Sequence, residues 1–144
     1  MSAIEIDYLT MDFYKAITFE NGETPDFSSL DILFYGDGIM INNNFREPLS
    51  FTAQSFNEAM QSQIASGDIE QFMQRETFSK TEVFGSVAVR TSVYEYNFAD
   101  HEQHRLPRGI NYIQFIKVEG NWRILSMAWC DENENHVIPP EYVR

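Results

Sequence analysis

Basic residues are scarce in this chain: ten Lys and Arg stand against 22 Asp and Glu, a net charge of −12 over 144 residues. So acidic a surface repels phosphate backbones and anionic lipid, and neither a nucleic acid nor a membrane is expected as a partner. The acid is spread along the chain, and its plain consequence is solubility. Cysteine is scarcer still. The single Cys130 cannot form an internal disulfide, which argues against a stapled secreted scaffold. No apolar run approaches the roughly 20 residues that a membrane helix needs. The first residues, Met1-Ser2-Ala3-Ile4-Glu5, lack the basic and apolar regions of a signal peptide. These absences lead to the expectation of a soluble, cytoplasmic protein. No glycine-rich phosphate loop, serine nucleophile elbow or metal-ligand motif is present, so no cofactor and no metal are expected.

Aromatic residues, by contrast, are plentiful. Twelve Phe, seven Tyr and two Trp exceed what a minimal core of this size needs. Such an excess either fills a core or lines a cavity, because ligand pockets are mostly apolar and aromatic. The length fits one domain, 1–144, in which 133–144 read as a C-terminal tail. There is no internal repeat and no linker.

Periodicity supplies the elements. Ser2 and Glu5 read as a capping box, after which Ile6, Leu9, Phe13 and Ile17 follow at helical spacing up to a stop at Asn21-Gly22. A short second helix opens with Thr24 as N-cap, Pro25 and Asp26, and carries Phe27, Leu30 and Phe34. Gly36-Asp37-Gly38 breaks it, and 39–41 form a short strand before the polar Asn42-Asn43-Asn44. A third helix starts near Thr52, with Phe56, Met60 and Ile64 spaced by four and Gly67 at its C-terminal end. The period then becomes two. Residues 72–84 and 87–98 flank a tight turn at Gly85-Ser86, and 109–118 and 122–129 flank another at Gly120-Asn121. The order is α-α-β-α-β-β-β-β, an α+β fold. An antiparallel meander of four long strands curls under its own twist and needs its inner face covered, so the sheet is expected to wrap partly around the N-terminal helices, with a cavity between sheet and helix.

Three stretches carry a family likeness: Leu33-Phe34-Tyr35-Gly36-Asp37-Gly38, Gly109-Ile110-Asn111, and Gly120-Asn121-Trp122-Arg123-Ile124-Leu125-Ser126. In this order they resemble the nuclear-transport-factor-2-like superfamily and its SnoaL-like, ketosteroid-isomerase-like bacterial branch, over nearly the whole chain to about residue 132. The resemblance implies a cone whose open end takes the ligand, and dimers as the usual state. It implies a pocket among Tyr14, Phe34, Met40, Asn42, Asn111, Ile113, Phe115, Met127 and Trp129. Tyr14 falls near the isomerases' oxyanion-donor tyrosine, Asn42 where they carry an aspartate base, and Asn111 near their protonated aspartic acid. Both carboxyl positions are therefore asparagine. An amide cannot take a proton from carbon at neutral pH, so steroid-isomerase chemistry is not expected, although both amides can orient a carbonyl or hydroxyl group.

Each remaining candidate has a plainer reading. Tyr14 is an oxyanion donor or a border residue of its helix stripe with its hydroxyl at the surface. Ile113, Phe115, Met127 and Trp129 share a face with Asn111 and either line a cavity or pack on the helices. Asp131 is an acid or base at the cone's mouth or the start of a solvated loop. Glu76 and Arg90, on neighbouring strands, form a catalytic acid–arginine set or an ordinary cross-strand pair. His101 and His104 share a loop with a zinc-compatible gap but show no partner cluster, which favours surface histidines. Cys130, with no evident basic neighbour, reads as inert. Three functions remain: a pocket protein for a small apolar metabolite bearing a carbonyl or hydroxyl, a non-catalytic module whose sheet face pairs with itself or with a partner domain, or a lyase, isomerase or hydrolase built on an unusual set such as Glu76, Arg90 and Asp131. The Val- and Tyr-rich strand 87–98 gives the dimer a physical basis.

Overall fold

The computed structural model describes residues 2–23, 27–98 and 106–143. The Thr24-Pro25-Asp26 helix start, the side chain of Ser2, and His101 and His104 lie outside the described residues. Helix α1 spans Ser2–Ala16 and buries Ile6, Thr10, Phe13 and Tyr14. It ends before Asn21-Gly22, because the chain is already extended at Phe19. There Phe19 N–H donates to the Phe72 carbonyl at 2.8 Å and Phe72 N–H donates back at 3.0 Å. The second helix is a 3-10 segment, Phe27–Leu33.

Phe34 belongs to no helix; it opens strand β1, Phe34–Asn42. Gly36 and Gly38 sit inside this strand at φ 60° and 78°, where the register against the neighbouring strand shifts. A Cβ on Gly38 would come within 2.6 Å of the Phe34 ring, so a glycine is required for the chain to fold over that ring. A short edge strand absent from the expected order, β2 (Leu49–Phe51), then pairs with β1. Helix α2, Ala53–Ala65, is capped reciprocally: Ser55 N–H donates to Thr52 Oγ1 at 3.0 Å, and Thr52 N–H donates to Ser55 Oγ at 2.9 Å. It closes at Gly67, whose φ is 82°.

Four long strands follow: β3 (Met73–Phe84), β4 (Val87–Asn97), β5 (Arg108–Val118) and β6 (Asn121–Asp131). The last hairpin turns at Glu119-Gly120, one residue earlier than expected, with φ 51° and 82°, and Val118 pairs with Asn121. The sheet is curved, unclosed and mixed, in the order β2-β1-β6-β5-β4-β3, with β1 parallel to β6. Helix α1 packs on β3 and β6, and α2 on β1, β2 and the 3-10 segment. The inner face carries Ala88, Arg90, Ser92 and Tyr94 opposite Phe115, Ile113, Asn111 and Gly109. In β6 the register shifts between Ile124 and Ser126, leaving Leu125 as the extra residue. Trp122 and Ile124 can therefore point inward before the bulge, and Met127 after it.

The tail is anchored. Ile138 is buried, its N–H donates to Glu132 at 2.8 Å, and the Tyr142 ring stacks on Phe78 with centroids 4.9 Å apart. It thus crosses the outer face of the sheet, where Val93, the register partner of Phe78, is buried.

Candidate functional site

At the wide end of the sheet, beneath α2, the walls enclose an open cavity of about 450 Å³. Helix α1 and the residue that follows it contribute Phe13 and Ile17, α2 contributes Phe56 and Met60, the β1–β2 region contributes Phe45, Leu49 and Phe51, and the sheet with the residues flanking its strands contributes Phe72, Tyr96, Phe98 and Trp129. The rings brace one another. Phe56 meets Phe51 and Trp129 edge-on, with centroids 5.6 and 6.4 Å apart, a geometry the ring quadrupoles favour. The polar lining is Asn42, Asn44, Gln63, Gln74, Tyr94, Asn111 and Asp131, of which only Asp131 is charged among the described residues.

Asp131 is held by a clamp built on Gly109. Across the sheet, Tyr94 of β4, Gly109 of β5 and Asp131 of β6 stand in one row. A Cβ at Gly109 would collide with the Tyr94 hydroxyl and the Cys130 carbonyl, so a side-chain-free residue lets the Tyr94 ring lie across β5. Tyr94 Oη then donates to Asp131 Oδ1, and Tyr96 Oη to Oδ2, each at 2.5 Å. The Asp131 N–H donates to Asn44 Oδ1 at 2.5 Å. Burial, and then the hydrogen bond and charge of Asp131, push both phenols above the usual tyrosine range, so they stay protonated donors.

A second polar assembly lies deeper. Tyr14 Oη shares a 2.8 Å hydrogen bond with Ser92 Oγ, which donates to Glu76 Oε2 at 2.6 Å. Glu76 receives Arg90 through two bonds of 2.6 and 3.0 Å, and Arg90 also reaches Asp7 and Thr81 at 2.6 and 2.8 Å. Burial alone would lower the Arg90 pKa, but its bonds to Glu76 and Asp7 outweigh that and raise it. Burial pushes the Tyr14 phenol up to about 12, against lowering contributions from Ser92 and Asn111. The Asn111 amide lies on that side of the network and also donates from Nδ2 to Met127 Sδ at 3.4 Å. Its Oδ1 is buried without a hydrogen-bond partner.

Asn42, Asn111, Trp129 and Asp131 line the cavity, whereas Tyr14, Phe34, Met40, Ile113, Phe115 and Met127 are buried outside its lining. All six belong to the buried hydrophobic core cluster, where inward-pointing side chains meet one another. The Tyr14 hydroxyl is buried on Ser92, not at the surface. Glu76 and Arg90 do pair, within a larger network. Sequence reasoning missed Tyr94 and Tyr96; two tyrosines at period two on one strand, with a glycine on the next, were the available signal. Cys130 is not isolated from a basic residue: its Sγ lies 3.6 Å from His136 Nε2, beside a separate groove of about 380 Å³. Among the described residues no group of three or more His, Cys, Asp and Glu could hold a metal, and no helix is long and apolar enough to cross a membrane.

No protein-family model matches the chain, and no curated protein does. Solved structures do. An NTF2-like protein of unknown function from Silicibacter pomeroyi is similar at 18% identity and TM-score 0.62, over 91% of this chain and 96% of that one. A protein of unknown function with a cystatin-like fold, from Nostoc punctiforme, is similar at 13% identity and TM-score 0.69, over 92% of each. The fold is the NTF2-like, cystatin-like one. A third similar structure, from Xanthomonas campestris, is named for the association domain of calcium/calmodulin-dependent protein kinase II. It is 13% identical with TM-score 0.65, over 90% of this chain and 87% of that one.

Proposed function

We propose that this chain is a cytoplasmic binding protein whose NTF2-like cavity takes a small, largely apolar molecule bearing a hydrogen-bonding group, in the manner of the SnoaL-like branch it resembles. The observation that carries the reading is the lining: an open cavity of about 450 Å³ with mutually braced aromatic walls and a few fixed polar groups, the usual make-up of a ligand site. Asn42 and Asn111 favour binding over isomerisation, since neither can accept a proton from carbon. The test is thermal denaturation against a panel of small aromatic alcohols, ketones and amines, repeated with Trp129→Ala. A ligand-induced rise in Tm that Trp129→Ala abolishes is expected. A panel with no effect, or a rise that survives the substitution, would refute the reading.

A second reading, self-association, is favoured by the outer face of the sheet. Ile39, Val87, Val89 and Tyr112 are 49%, 51%, 37% and 56% exposed there, and apolar surface of this kind marks an interaction site. The association-domain name of one structural relative agrees with it. The two readings are compatible, because the cavity opens on the other face.

A further inference from the structure

The polar groups that face the cavity are unequal in kind. Among the described residues no Lys or Arg lines the wall or pairs with Asp131. Each Asp131 oxygen accepts one phenol proton, and a carboxylate oxygen has capacity for another donor. Asn111, only 2% exposed, spends its Nδ2 on the Met127 sulfur and leaves Oδ1 buried and unpartnered. An unpaired buried acceptor is a free-energy penalty that an incoming donor removes. Gly109 pairs with Asp131, and Asn111 with Trp129, so the two acceptors face the same side two residues apart, about 7 Å along the ladder. Aromatic rings line the same cavity, and their faces attract cations.

We infer that the ligand is an organic cation with N–H donors, a protonated amine on an aromatic or alicyclic body. Its ammonium lies against Asp131, and its body among Phe56, Phe72 and Trp129. The inference rests on the pocket reading and narrows it to one chemical class. A carboxylate ligand would meet the Asp131 charge in a site with no described cation to offset it. A bare ketone would present an acceptor to these two acceptors and could be met only by the side-chain amides of the wall, leaving both acceptors unsatisfied.

The experiment uses three probes of one shape, 4-phenylbutylamine, 4-phenylbutan-1-ol and 4-phenylbutanoate, titrated at neutral pH into the full chain and into Asp131→Asn. Calorimetry and tryptophan fluorescence report affinity. The amine is expected to bind about tenfold or more tighter than the alcohol, as a partly desolvated charge pair allows, and to weaken as salt is raised. The carboxylate should bind weakest. In Asp131→Asn the amine's advantage over the alcohol should fall to about twofold or less. If the alcohol matches the amine in the wild-type chain, or the advantage survives in Asp131→Asn, the cation assignment fails while the pocket reading stands. If none of the three binds or raises Tm, both fail. Should Asp131→Asn not fold, the wild-type ranking and its salt dependence still decide.

Discussion

Truncation of Glu76 to alanine tests how the closed end of the cone is held. The Arg90 side chain is 3% exposed and that of Glu76 17%, and two hydrogen bonds join them. Without Glu76 the buried guanidinium keeps the Thr81 hydroxyl and Asp7, whose side chain is 52% exposed and so more strongly screened by water. Breaking a buried pair by removing one partner costs about 3–5 kcal/mol, and the residual bond to Asp7 places the loss near 3 kcal/mol. Ser92, whose hydroxyl donates to Glu76, loses its acceptor in the same step. Against a total stability of about 5–15 kcal/mol the effect is large, and at about 2–4 °C per kcal/mol it lowers Tm by about 6–12 °C. Urea denaturation followed by circular dichroism, with an unchanged m-value, measures it directly. A double variant, Glu76→Leu with Arg90→Met, removes both charges and keeps apolar volume, so it should recover to within about 1 kcal/mol of the parent chain. A loss under about 1 kcal/mol for Glu76→Ala, or a double variant worse than the single, would refute the reasoning.

The Tyr14 phenol, held at about 12 in the folded chain against 10.0 when free, loses its proton first in the unfolded state. The stability it contributes is full below pH 10 and is lost as pH rises through 12, by about 2–3 kcal/mol in urea midpoints; Tyr14→Phe should shrink that fall, and a flat profile to pH 12 would contradict the burial. Gly109→Ala should cost about 1–3 kcal/mol in thermal or urea denaturation, because the new Cβ displaces the Tyr94 ring and breaks its bond to Asp131; an unchanged Tm would mean the close approach is not real. Tyr112→Lys puts a charge in the exposed outer face and should shift the chain to monomer in light scattering after gel filtration. A parent chain already monomeric at high concentration would remove the self-association reading.

What could be read beforehand followed from local rules. The four long strands announce themselves through period-two patterning between tight turns, and Thr52 and Gly67 bracket α2 as capping chemistry requires. The early part misled for a physical reason. Gly36 and Gly38 look like helix breakers, but they supply positive φ inside a bulged strand, so Phe34 reads as helical when it starts β1. Alternation carried Asn111, Trp129 and Asp131 to the inner face. It could not tell how far the cone is filled, because that depends on the summed volumes of side chains from strands distant in sequence. Tyr94 and Tyr96 reach Asp131 across separations of 37 and 35 residues, over a glycine on the strand between. No local pattern encodes such a contact, although a glycine in a strand interior signals that something bulky lies across it.

The two polar assemblies differ in what they leave open, and that difference separates the inner end of the cone from its mouth. In the inner one the cation is matched by carboxylates: Arg90 has Glu76 and Asp7, Ser92 links Tyr14 to Glu76, and α1 is thereby tied to β3 and β4. A ligand reaching for Tyr14 there would have to displace Ser92 and disturb a buried ion pair, so the oxyanion-donor role implied by resemblance is closed off by the residue's own bonding. In the outer assembly neutral donors fix the carboxylate in place without cancelling its charge. A ligand can engage Asp131 without breaking an ion pair formed by the described residues. Asn111 stands between the two, near Tyr14 on one side and on the cavity wall on the other, with an acceptor unspent. A cone whose deep charges are mutually satisfied and whose outer charge keeps its acceptor capacity is the arrangement on which the proposed binding at its mouth rests.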